Sequence, residues 1–240
     1  MKILNRLGRV IYENENIDNI KELVEEAVRE DIGLASANLI DADLTGAYLT
    51  GAYLTGADLT DADLTGAYLT DAILRCADLT SANLRDADLT YASLTGAILA
   101  SANLTSANLR DANLTSANLR DANLEGTDLC CTDLTGANLI DANLTSAYLR
   151  DANLTYANLR CADLTGVNLI DAHLTSANLR DAHLIDASLR GANLRGADLT
   201  YANVTSAYLK RADLRGASLE CANLEGADLT SANLEGDKRR

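Results

Sequence analysis

The sequence predicts an all-β solenoid, a chain wound into stacked four-sided coils. Three observations predict it. From Leu34 to Leu234 every fifth residue is Leu, with Val204 as the lone exception among 41 positions. Two residues before each centre, from Ala37 to Ala232, 40 positions hold Ala except at Thr127, Thr132 and Val167. The residue between them is mostly Asn or Asp, and the two after Leu are mostly Thr or Arg, then Gly, Ser or Asp.

A period of five suits neither regular element. On an α-helix successive Leu would be rotated by about 140° and would scatter around the cylinder. On a flat strand an odd spacing would send alternate Leu to opposite faces. The pattern needs a backbone that bends once per five residues, so that every Leu and every Ala points to one axis. Leu34, Leu39, Leu44, Leu139 and Leu234, with Ala37 and Ala42, represent this expected core, and the other three positions face water. The outward residues set the number of sides. Tyr occupies the pre-Leu site at 48, 53, 68, 148 and 208, and four of these share a column if the coil has 20 residues. Asp41, Asp61, Asp121, Asp141 and Asp181 share another column at that period. Four pentapeptides per coil then give about ten coils, a rod of about 50 Å at the spacing of stacked strands.

The Ala-(Asp/Asn)-Leu-x-x motif resembles the pentapeptide-repeat family, and its in-phase copies cover most of the chain. The resemblance implies a right-handed quadrilateral β-helix with four pentapeptides per turn, in agreement with the columns.

Residues 1–33 break the pattern. Arg9 to Tyr12 reads as a short strand. Asp18 is placed to cap a helix running from Asn19 to Glu30, where Ile20, Leu23, Val24 and Ala27 or Val28 form an apolar stripe. Glu22 lies in its first turn, where negative charge suits the dipole. An open solenoid end exposes apolar side chains and unpaired backbone, so this segment is expected to cover it. The chain therefore divides into a cap at 1–33, a β-helix at 34–234 and a charged tail at 235–240. With no comparable cap after Leu234, the last coil is the expected seat of a homodimer.

Composition excludes several classes. The formal net charge is −15, from 35 acidic and 20 basic residues, so direct nucleic-acid binding lacks its basic footprint. No apolar run is long enough to span a membrane, and the N-terminus has no apolar stretch of the secretory kind. The expected location is cytoplasmic. Cys76, Cys130, Cys131, Cys161 and Cys221 form no disulfide framework and read as free thiols. His173 and His183 are expected on opposite sides of a coil and cannot share a metal. No phosphate loop, nucleophile elbow or zinc-binding helix occurs. No catalytic residue, metal or cofactor is expected, and the chain is read as a non-enzyme. Asn and Asp before Leu are explained by bonds to nearby backbone amides.

Function must then lie in the outward columns. The first expectation is a scaffold that binds an unidentified protein. Tyr48, Tyr53 and Tyr68, with Ile73 beside them, make the most apolar outward cluster, and Tyr is favoured at interfaces. The alternative follows from the resemblance: some members of the family mimic B-DNA and bind DNA gyrase, protecting or inhibiting it. On that reading Asp41, Asp61, Asp121, Asp141 and Asp181 stand in for phosphates. The Leu-Arg-Asp steps at Arg110, Arg120, Arg150 and Arg180 would blur such a field.

Overall fold

Each pentapeptide folds as one corner and one side. In the computed structural model, which describes residues 1–236, the Ala amide donates to the carbonyl of the Leu three residues before, as in Ala67 to Leu64 at 2.9 Å and Ala117 to Leu114 at 2.9 Å. The residue just before that Ala has positive φ throughout, from Ser36 at 57° to Ser231 at 60°. A tight turn with positive φ at its third residue favours Gly, and tolerates Asp and Asn through their short polar side chains. The Gly, Ser and Asp that follow each Leu-x step are therefore the corners of the coil.

The straight part of each side is short, and its ladder is parallel. The pre-Leu residue bridges the residue 20 positions on: Asn38 to Asp58, Asp43 to Asp63, Tyr48 to Tyr68 and Tyr53 to Ile73 open four series that continue to Asn233. The repeat of 20 residues is four pentapeptides per coil. Each rung is held twice, as where Leu64 N–H donates to Asn83 O at 2.7 Å and Asn83 N–H donates to Ala62 O at 2.9 Å. The Asx side chain adds a third bond, since its Oδ1 accepts the amide two residues on, as in Asp63 from Thr65 at 2.9 Å and Asn113 from Thr115 at 2.9 Å. Leu and Ala fill the axis: Leu34, Leu44, Leu139 and Ala37 are fully buried, Leu39 is 2% exposed and Ala42 7%. Thr127 and Thr132 take the Ala position without an orphaned hydroxyl, each donating at 2.8 Å to a carbonyl of the coil before, Leu104 and Leu109.

The first 33 residues form a hairpin and a helix. Strand β1 (Lys2–Leu4) pairs antiparallel with β2 (Val10–Glu13). The sequence pattern showed only the second, one residue earlier, because three residues carry no period. Helix α1 (Ile20–Arg29) follows, and Asn19, not Asp18, is its cap: the Asn19 side chain accepts from the Lys21 and Glu22 amides at 2.8 and 3.4 Å. The cap position needs a side-chain oxygen that reaches the second and third helical amides, and Asn19 sits one residue nearer them. Leu23, Val24 and Ala27 are buried against the first coil.

The segment also satisfies backbone groups of that coil. Asn38 N–H donates to Leu4 O at 2.8 Å and Tyr48 N–H to Glu25 Oε1 at 2.9 Å, while Lys21 Nζ donates to Thr45 O at 2.7 Å. At the other end Leu234, expected in the core, is only half-buried, as are Leu224, Leu229 and their Ala neighbours. They lie in the last described coil, with no further described coil stacked on them. Of the tail assigned to 235–240, residues 237–240 lie outside the described residues.

Candidate functional site

Tyr48 and Tyr68 are neighbours on one side of the first coils. Their backbones form a parallel bridge, and their rings stack with centroids 5.0 Å apart and planes 6° from parallel. The period of 20 sets this contact, since it places the two rings one strand spacing apart. Both are exposed, Tyr48 to 66% and Tyr68 to 46%. Around the Thr50–Gly51–Ala52 corner stands Tyr53, bridged to Ile73 and also exposed. A notch of about 260 Å³ lies where the end of α1 meets this corner, lined by Val28, Asp31, Ile32, Gly51, Ala52 and Tyr53 among others. The three tyrosines, met in the sequence as separate positions, thus meet as one surface beside the cap.

The Asp column is less uniform than its sequence spacing suggests. Asp41, Asp61, Asp121, Asp141 and Asp181 all occupy corners with φ between 56° and 58°. Arg120 lies 3.2 Å from Asp121 and 3.9 Å from Asp141, and Arg180 lies 3.5 Å from Asp181. Of these five, Asp41 and Asp61 stand without an ion pair among the described residues. The same local pairing joins Arg110 to Asp111 and Arg150 to Asp151, at 3.6 and 3.4 Å. Asp41 and Asp61 have company that the single column did not reveal. Asp58 precedes Asp61 by three residues and is bridged to Asp78 of the next coil, while Asp43 and Asp63 follow Asp41 and Asp61 by two and are bridged to each other. The Thr45 side chain, and its amide donating to Asp43 Oδ1 at 3.1 Å, hold that carboxyl below its usual range. Arg6 lies 3.6 Å from Asp58 and pairs with it.

Other polar columns carry no assembled chemistry. Among the described residues no group of three or more His, Cys, Asp or Glu is placed to hold a metal ion. His173 and His183 stand in different ladders, bridged to Asn193 and Asn203. All five cysteines are free thiols. Burial, then the neighbouring Asp128 carboxylate, pushes the Cys130 thiol up to about 11. No helix among the described residues is long and apolar enough to cross a membrane.

The comparisons with known proteins agree with the repeat. The family model for pentapeptide repeats matches overlapping segments running from residues 37–75 to 207–236. The crystal structure of HetL, a pentapeptide repeat protein involved in heterocyst differentiation regulation from the cyanobacterium Nostoc sp. strain PCC 7120, is 35% identical. That match covers 92% of this chain and 97% of HetL, with a TM-score of 0.47. Rfr23 from the cyanobacterium Cyanothece 51142 is 32% identical over 45% of this chain and 91% of its own, with a TM-score of 0.39. QnrB1, a plasmid-mediated fluoroquinolone resistance protein, is 16% identical over 74% of this chain and 91% of its own, with a TM-score of 0.40. No curated protein matches the chain.

Proposed function

We propose, from the premise that this chain belongs to the pentapeptide-repeat family, that it is a non-enzymatic scaffold binding a protein partner through its N-terminal coils. The observation that carries this reading is the Tyr48–Tyr68 stack, continued around one corner by Tyr53 and the notch under α1. Three exposed aromatic rings held by a rigid ladder bind without ordering flexible side chains, which lowers the cost of association. We take the coils as right-handed and about ten in number, as the family's fold implies, and the location as cytoplasmic.

Immobilised chain tests the reading when its captures from a lysate of the source cells are compared across variants. Replacing both Tyr48 and Tyr68 by Ser is expected to abolish capture of a partner that wild type retains, while replacing Tyr148 and Tyr208 by Ser leaves it. Loss with the second pair alone would contradict the assignment.

A second reading, mimicry of DNA toward DNA gyrase, is favoured by the corner that carries Asp41, Asp43, Asp58, Asp61, Asp63 and Asp78. Its check is a supercoiling assay. Inhibition that disappears when Asp41, Asp43, Asp61 and Asp63 become Asn would promote this reading. Unchanged supercoiling at high chain concentration would dismiss it.

A further inference from the structure

Tyr68 has two ring faces, and only one is covered by its neighbour. Tyr48 stacks on it from the coil before, at 5.0 Å and nearly parallel. That separation matches the spacing of adjacent strands, so the rings lie across the rod axis. The other face of Tyr68 is turned toward the next rung, where the bridged residue is Asp88. Asp88 is oriented by neutral donors: the Thr90 amide at 3.1 Å, the Thr90 hydroxyl and the Thr70 hydroxyl at 3.2 Å. No cation pairs with it among the described residues, so its charge is unspent.

The surroundings keep the local field negative. Glu25 accepts from the Tyr48 amide, and Asp71 is exposed on the corner after Tyr68. Of the bases nearby, Arg85 is paired with Asp86 at 3.3 Å and Lys21 donates to Thr45 O. Two residues after Tyr48, Tyr68 and Asp88 the ladder carries Thr50, Thr70 and Thr90. Farther along the same column Tyr148 is bridged to Asp128 and Tyr208 to Asp228, but there the position two residues after the ring holds Arg150 and Lys210 in place of Thr. Beside Tyr68 and Asp88 that position is Thr70 and Thr90, and the base one rung beyond Thr90, Arg110, is paired with Asp111 at 3.6 Å.

An uncovered aromatic face beside an unpaired carboxylate is the chemistry that holds a cation. We propose that Tyr68 and Asp88 bind a Lys or Arg side chain of a basic segment on a partner protein, with the notch at Tyr53, Val28 and Ile32 taking an apolar neighbour of that side chain. This inference rests on the reading of the N-terminal coils as a partner surface and supplies the partner's charge.

Fluorescence anisotropy with a labelled peptide alternating Lys and Leu, titrated with the full chain in physiological salt, tests it. Tyr68→Leu and Asp88→Asn are each expected to weaken binding about tenfold. Tyr68→Phe, which keeps the ring, is expected to bind as wild type does. The controls Tyr148→Leu and Asp41→Asn are expected to leave affinity unchanged, and a peptide alternating Glu and Leu is expected not to bind. Circular dichroism melts confirm that each variant is folded. Equal weakening by the controls would show diffuse attraction to an acidic rod and overturn the proposal, as would full affinity in Tyr68→Leu. If lysate capture still depends on Tyr48 and Tyr68 while the basic peptide ignores them, the partner surface stands and its cationic chemistry falls.

Discussion

At each corner one residue is held at positive φ, and the side chain there decides what that costs. Gly adopts this backbone freely and Asp tolerates it, whereas a bulky residue is strained by about 1–2 kcal/mol. Tyr156 sits at such a corner with φ of 60° and its ring 67% exposed, so nothing in the core compensates. Tyr156→Asn is therefore expected to stabilise the chain by roughly 0.5–1 kcal/mol, read as a higher denaturant midpoint at unchanged slope. An unchanged or lower midpoint would show that the ring has a partner. Chemistry at single residues is also set by position on the coil. Cys130 and Cys131 are adjacent, yet Cys130 is partly buried with its thiol near 11, while Cys131 is exposed. The thiolate is the reactive form, and a raised value means that it appears only as pH climbs. Iodoacetamide at pH 8 is expected to label Cys131 well before Cys130, with the Cys130 rate still rising between pH 9 and 11. Equal rates, followed by mass spectrometry of peptides, would contradict this placement.

The elements differ in how much of them the sequence discloses. The coil was legible because Leu at every fifth position and the recurrence of Tyr48 at Tyr68 are long-range repeats of the same physical unit. Helix α1 was legible from its apolar stripe at Leu23, Val24 and Ala27. Strand β1 was not, since Lys2–Leu4 is too short for a period and is held by its pairing with β2 and by the Leu4 carbonyl meeting Asn38. The choice of Asn19 over Asp18 depends on one residue of phase, below what composition resolves. Among coils, each contacts mainly the one before and the one after, so damage should remain local before it spreads. Leu139 is fully buried in mid-rod, and Leu139→Asp puts a charge where no partner exists. Amide exchange is expected to become fast from Leu119 to Leu159 first, with N-terminal coils protected longest because α1 holds their end. Uniform loss of protection along the whole chain would indicate a single cooperative unit instead.

Taken as a whole molecule, the rod separates shape from recognition. The inward Leu and Ala are nearly constant from end to end, while the outward columns change. The early coils carry the aromatic stack and unpaired carboxylates, and the later ones carry Arg110–Asp111, Arg120–Asp121, Arg150–Asp151 and Arg180–Asp181 pairs. Exposed pairs of this kind contribute about 0–1 kcal/mol each to stability, so their main effect is to neutralise the field there. The tyrosine surface was legible as positions but not as a surface: the sequence shows Tyr48 and Tyr68 in one column, whereas the stack and the face toward Asp88 arise only when the coils pack rung on rung, and the notch under Val28 and Ile32 only when α1 is docked. The most direct measurement is site-specific photo-crosslinking in cells, with a benzophenone side chain replacing Tyr53 in one chain and Tyr156 in another. A partner surface on the N-terminal coils predicts a discrete crosslinked protein from position 53 and none from position 156. The same product from both positions, or one from position 156 alone, would contradict it.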